Sequence, residues 1–142
     1  MKISTKVRYG MRAMIELARK NNEVPVMLGI IAKNQDLSEK YLEQLFTMLR
    51  NAGLVKSERG SRGGYRLARK PEEISAYDIF TALNGPLELV ECTVNRDFCK
   101  MINECSANGL WSELAESIGT ILRSKTLSQL AEMKKDFSSY NI

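Results

Sequence analysis

The stretch 54–69, LVKSERGSRGGYRLAR, constrains the fold more than any other in this chain. Two short runs with strand character flank RGSRGG, and Gly60, Gly63 and Gly64 can take the positive φ that a tight reversal needs. The pattern predicts two short strands, LVKSE and YRLAR, around a glycine-rich turn that carries Arg59 and Arg62. An isolated two-stranded hairpin is marginal in water, so this one must lean on whatever precedes it.

What precedes it is helical. After Ser4 and Thr5, either able to cap a helix, Val7, Met11, Met14, Ile15 and Ala18 recur at helical spacing, which predicts an amphipathic helix over residues 5–20. Lys6, Arg8, Arg12 and Arg19 fall off its apolar stripe. Asn21, Asn22 and Pro25 break it, and Leu28, Ile31 and Ala32 then mark a short second helix that stops near Gln35. Asp36 and Leu37 make a tight connection. Ser38 caps a third helix with Leu42, Leu45, Phe46 and Leu49 facing inward, leaving Lys40, Tyr41, Glu43, Gln44, Thr47 and Arg50 on other faces, and Gly53 ends it.

Two short helices joined by a tight turn, the second exposing a mixed polar and basic surface, is the arrangement of a helix-turn-helix whose second helix enters a major groove. By itself it also suits a generic helical hairpin. The glycine-rich turn beyond it favours the first, because it can set Arg59 and Arg62 against a phosphate backbone or in a minor groove, as a wing does. Charge agrees. Residues 1–70 carry 15 lysines and arginines against 6 aspartates and glutamates, whereas residues 71–142 carry 6 against 11, so a formal +9 at the front opposes −5 at the back. A basic half of that size suits a polyanion, since each neutralised phosphate releases condensed counterions.

Beyond Pro71 the character changes. Ser75 caps a fourth helix through Leu83, with Ile74 and Ile79 placed as a hydrophobic staple, and the NGP at residues 84–86 ends it. Residues 87–107 lack sustained periodicity. From Leu110, the residues Trp111, Leu114, Ala115, Ile118, Ile121 and Leu122 form an apolar stripe. Thr126 and Gln129 then make a capping box for a last short helix holding Leu127, Leu130 and Met133. A long apolar helix outside a DNA-reading unit wants a partner, and a second copy is the natural one because two-fold symmetry lets a dimer meet two half-sites. Packing back on the first helix is the alternative use for it. The expected architecture is therefore mainly α with a small β-hairpin: a winged helix-turn-helix over residues 1–84, a cysteine-bearing loop over 85–108, and a dimerisation helix with a C-terminal helix over 109–142.

Cys92, Cys99 and Cys105 are the only cysteines in 142 residues, and the chain has no histidine. Three thiols cannot pair off within one chain, and a tetrahedral zinc site would lack its fourth ligand. No run of about 18 apolar residues is present for a membrane span, which points to a cytoplasmic protein, where clustered thiols are more often a metal or redox site than a disulfide framework. Without histidine as a base, or a phosphate-cradling glycine loop on a βα unit, and with carboxylates mostly on what read as solvated helix faces, enzymatic activity is not expected.

These residues resemble the IscR-type family of winged-helix regulators, which includes IscR, NsrR and CymR. The likeness runs from MKISTKVRYGMRAMIELA through LSEKYLEQLFTMLRNAGLVKSERGSRGGYRLA and ISAYDIFTALNGPLELVEC to LWSELAESIGTILRSKTLSQLAEM, and the three spaced cysteines before LW are among its most specific pieces. The resemblance implies a homodimeric transcriptional regulator of double-stranded DNA, its long helix crossing to the partner subunit. By position, Ser38, Lys40, Tyr41, Glu43 and Gln44 look like recognition-helix contacts, and Arg50 and Arg59 like backbone or groove contacts.

In cluster-binding members three cysteines at this place ligate an iron–sulfur cluster, so the resemblance implies Cys92, Cys99 and Cys105 as ligands, of a 2Fe–2S cluster ahead of a 4Fe–4S one; thiolates suit either. The match departs at the fourth ligand. Asn108 stands where 2Fe–2S relatives have histidine, and Arg8 where 4Fe–4S relatives use aspartate. Glu91, Glu104, Glu16 of the partner's first helix, or a small thiol from solution are the alternatives. The implied function is a DNA-binding regulator that senses iron–sulfur, redox or nitric oxide status. Its alternatives are a cluster-free thiol switch and a regulator controlled by binding a metabolic enzyme.

Overall fold

The computed structural model describes residues 1–20 and 23–133. Its elements in chain order are α1 (Thr5–Arg19), α2 (Leu28–Gln35), α3 (Glu39–Asn51), β1 (Val55–Glu58), β2 (Gly64–Leu67), α4 (Ala76–Asn84), α5 (Ser106–Ser124) and α6 (Leu127–Glu132), with single 3-10 turns at Pro71–Glu73, Glu91–Thr93 and Arg96–Phe98. The chain is thus mainly helical with one antiparallel hairpin, as its patterning requires.

Local chemistry sets most of the helix starts. Ser4, Ser38, Ser75 and Thr126 each accept a backbone N–H three residues on, from Val7, Tyr41, Asp78 and Gln129 respectively. At Ser75 and Thr126 the third residue returns the bond, completing capping boxes. Between α2 and α3 the chain reverses at Asp36, whose φ of 55° is a left-handed conformation that aspartate tolerates better than most residues. There the Leu37 N–H closes onto the Ala32 carbonyl at 2.9 Å. α1 ends at Arg19; the helix-breaking role expected of Asn21 and Asn22 lies outside the described residues.

The core gathers Met14 and Leu17 of α1, Ile31 of α2, Leu42, Leu45, Phe46 and Leu49 of α3, Ile79 and Leu83 of α4, and Leu127 of α6. Each such side chain contributes roughly 1.5–3 kcal/mol on leaving water. The long helix does not lie on α1; α5 packs on α4, and it is the short α6 that returns to α1. That return is secured on several sides. The Ala76 N–H donates to the Lys125 carbonyl at 2.8 Å and the Leu127 N–H to the Ile74 carbonyl at 2.7 Å. Arg19 holds the far end of α6 through the Ala131 and Met133 carbonyls at 2.9 and 3.0 Å.

The hairpin is anchored rather than free-standing. Val55 pairs with Leu67 and Glu58 with Gly64, and Val26, in the α1–α2 connection, exchanges both backbone hydrogen bonds with Tyr65 at 2.8 Å. Of the three glycines expected at positive φ, Gly60 (118°) and Gly64 (157°) take it and Gly63 does not. Gly63 is needed for space instead: a Cβ there would sit 2.4 Å from the Glu58 carbonyl oxygen.

Candidate nucleic-acid interface and cysteine loop

α3 presents its buried stripe to the core, and that fixes what is left outside. Lys40, Glu43, Gln44 and Arg50 are exposed, Tyr41 is half-buried, and Ser38 uses its side-chain oxygen to cap the helix from the Tyr41 N–H at 3.1 Å. In the turn between the strands Arg59 and Arg62 are both exposed. Among the described residues, the side chains of Lys40, Gln44, Arg50, Arg59 and Arg62 enter no hydrogen bond or ion pair within the chain, so their donors face water. The hairpin is keyed to α3 by Tyr65, whose ring meets Phe46 edge to face at 5.0 Å and 73°. Arg66 differs from the turn arginines because it is tied to Glu58 across the hairpin at 2.7 Å.

α1 contributes to this face in a way that its amphipathic pattern did not announce. The Tyr9 ring stands edge-on to Tyr41, with centroids 6.2 Å apart and planes at 88°. Arg8 and Arg12 lie over the same Tyr9 ring at 5.6 and 5.4 Å. Arg12 also donates to both the side-chain and backbone carbonyl oxygens of Gln35, each at 2.9 Å. Glu16, which reads as a solvated helix position, is instead buried. Its two carboxylate oxygens accept the Asn34 and Gln35 side-chain amides at 2.6 and 2.5 Å. It is therefore committed within its own chain, which removes it as a ligand donated to a partner.

The cysteine segment is built from short turns. Cys92 lies in the Glu91–Thr93 turn, where the Thr93 hydroxyl donates to the Val90 carbonyl at 2.7 Å. Asn95 caps the Arg96–Phe98 turn through the Asp97 N–H. α5 begins at Ser106, four residues earlier than its apolar stripe indicates, with Cys105 at the N-cap position. Cys92 and Cys99 are partly buried, Cys105 is exposed, and all three are free thiols. Among the described residues, no three His, Cys, Asp or Glu side chains are gathered closely enough to hold a metal. Asn108 lies against the Cys92 sulfur and turns its amide NH2, a donor, toward it at 3.6 Å. As arranged, these residues do not form a cradle for an iron–sulfur cluster.

Phe98, Met101, Leu110, Trp111, Leu114 and Ile121 are exposed along the loop and α5. No helix among the described residues is long and apolar enough to cross a membrane.

A protein-family model described as Rrf2, iron-dependent transcriptional regulator, matches residues 3–133. The chain is 47% identical over 131 residues to the HTH-type transcriptional regulator CymR of Bacillus subtilis, covering 92% of this chain and 90% of that protein. The solved structure of that protein, the global cysteine regulator of B. subtilis, superposes with a TM-score of 0.77 at 47% identity over 92% of this chain and 96% of the other. The HTH-type transcriptional regulator IscR of Aliivibrio salmonicida is 38% identical over 130 residues, 92% of this chain and 77% of the relative. The oxidized form of Staphylococcus aureus CymR superposes with a TM-score of 0.75 at 40% identity, over 94% of this chain and 98% of that one.

Proposed function

The chain belongs to the Rrf2 family of transcriptional regulators, and from that premise we propose that it binds operator DNA as a homodimer. In this reading α3 enters the major groove and the hairpin turn lies on the flanking backbone. The observation that carries the proposal is the set of exposed side chains on α3 and the turn, Lys40, Gln44, Arg50, Arg59 and Arg62, which among the described residues have no intramolecular partner. Ser38, Tyr41 and Glu43 complete the reading surface. Polar donors left to water on a helix flanked by arginines are matched by base edges and phosphates. The exposed apolar face of α5 supports the two-fold contact, since a lone subunit would keep Trp111, Leu114 and Ile121 in water.

Cys92, Cys99 and Cys105 act as the sensing element through thiol chemistry. Two of the thiolates joining as a disulfide pass two electrons to hydrogen peroxide, whose O–O bond breaks and which takes up two protons from solvent to leave as two waters, and the tightened loop shifts the start of α5. The likeness to CymR, which includes a structure of an oxidized form, favours this reading. The second reading has an iron–sulfur cluster on the same three sulfurs, which would have to draw together to hold it, and the family's description as iron-dependent favours it.

Duplexes enriched from a random-sequence pool test the DNA reading: binding must weaken steeply as salt rises, and the protein must sediment as a dimer. A chain that stays monomeric and ignores duplex DNA at low salt is incompatible with it. For the sensor, anaerobic reconstitution followed by iron and sulfide assay separates the two readings. A colourless product with mass-mapped disulfides after peroxide supports thiol chemistry; a coloured product with matched iron and sulfide supports the cluster.

A further inference from the structure

Arg12 is basic, exposed and on the DNA-facing half of the chain, so charge alone would make it one more phosphate contact. Its geometry argues otherwise. Lys40, Arg59 and Arg62 have no intramolecular partner among the described residues, whereas Arg12 spends Nε on the Gln35 side-chain oxygen and Nη2 on the Gln35 backbone oxygen, both at 2.9 Å. Gln35 is the last residue of α2, so the guanidinium also satisfies a helix-terminal carbonyl at the negative end of the helix dipole. The other side of Gln35 is fixed as well, because its amide donates to buried Glu16. An arginine held by two bonds to an anchored residue is immobilised before any DNA arrives.

The immobilised guanidinium lies over the Tyr9 ring at 5.4 Å, and Tyr9 meets Tyr41 edge to face at 6.2 Å. Tyr41 is in the first turn of α3, where a reading helix meets base edges. We propose that Arg12 is a positioning residue for sequence reading: pinned to the end of α2, it holds Tyr9, and Tyr9 fixes the rotamer in which α3 presents Tyr41. This rests on the proposed DNA-binding function and adds a determinant of specificity that lies outside the helix-turn-helix itself. Glu16, the buried member of this network, keeps its Gln35 partner only when the end of α2 stays in this arrangement.

The test compares wild type, Arg12→Met, Tyr9→Leu and Tyr41→Ala as full-length protein, using a pool of random duplexes about 30 bp long, enough for two half-sites. Each protein's enriched sequence profile is read, together with the salt dependence of affinity for the duplex that wild type prefers. Arg12→Met and Tyr9→Leu are expected to lose preference at the base positions that Tyr41→Ala loses, with the preferred-to-random affinity ratio falling roughly tenfold. The salt slope should stay at the wild-type value. A uniform loss on every duplex, with the slope shallower by about one charge, makes Arg12 a phosphate contact and overturns the proposal, as does an unchanged profile in both variants. Tyr9→Leu keeps an apolar side chain at a half-buried site and carries the test if Arg12→Met fails to fold by circular dichroism. Wild-type protein that enriches no sequence refutes the DNA-binding reading first, an outcome separate from the variants' behaviour.

Discussion

The Asn108 side-chain amide donates to the Cys92 carbonyl oxygen at 3.1 Å and lies 3.6 Å from the Cys92 sulfur. One residue in the first turn of α5 thereby ties the cysteine loop to the helix that presents the exposed apolar face. A change in the chemistry of Cys92 must either keep this tie or break it, and the loop and α5 feel the difference together.

Replacing Asn108 with Leu removes the tie while keeping the branched shape of the side chain. A hydrogen bond of this sort contributes about 1 kcal/mol net, a factor of about five in a local opening equilibrium. Alkylation of Cys92 by iodoacetamide, followed by peptide mass, should accelerate by about that factor, while Cys105, already exposed, labels at its wild-type rate. Equal rates at Cys92 in both proteins would show that Asn108 does not hold the loop.

Leu127 comes after the long helix yet is fully buried in the core with residues of α1, α3 and α4. Its backbone N–H is bonded to Ile74, and α6 covers α1. Leu127→Ala should therefore cost about 2–5 kcal/mol of global stability, the range for emptying a buried leucine site. Urea denaturation followed by circular dichroism measures it, and a midpoint within error of wild type would contradict the packing.

Gly60 and Gly64 both sit at positive φ, but their surroundings differ. A Cβ on Gly60 meets nothing within 4 Å, whereas one on Gly64 would lie 2.3 Å from the Val26 carbonyl oxygen. Gly60→Ala should cost about 1 kcal/mol of backbone strain and leave the hairpin in place. Gly64→Ala forces the strand away from Val26, breaking the pair of bonds that anchors the hairpin, and should lower thermal stability more and weaken all DNA binding. Differential scanning calorimetry and anisotropy on one duplex compare them; equal effects of the two substitutions would argue against a backbone clash.

Much of this was legible in the sequence because it is local. A serine or threonine before an apolar period specifies a helix start through bonds spanning three residues, and Ser38, Ser75 and Thr126 behave accordingly. The inward face of α3 followed from the 3.6-residue period alone. What escaped is long-range or breaks a local rule. The SANG segment that opens α5 has no apolar period, and Cys105 before it supplies no capping bond, so that helix start carries no signal. The Arg19 bonds to α6 join residues 112 and 114 positions apart, and the Glu16 carboxylate is buried against amides whose partnership no spacing encodes. The exposed side chains of α3 could be read from pattern; the Tyr9–Tyr41 contact behind them could not.

In the proposed reading, Gln44 and Arg59 separate the two kinds of work a DNA-binding surface does. Gln44 is exposed on the second turn of α3, and a glutamine amide that reaches an adenine edge pairs with it bidentately, a contact that distinguishes bases. Arg59 lies at the hairpin turn, with no partner within the chain among the described residues, and a guanidinium that meets phosphate neutralises it whatever the sequence. Gln44→Ala should thus lower affinity for the preferred duplex by about 1–3 kcal/mol and leave random duplexes nearly unaffected. Arg59→Ala should weaken both alike and reduce the slope of log affinity against log salt by about one. Salt titrations of both variants on both duplexes make the distinction. If Gln44→Ala lowers binding equally on preferred and random DNA, α3 does not read bases through this residue and the assignment of the groove face must move elsewhere on the helix.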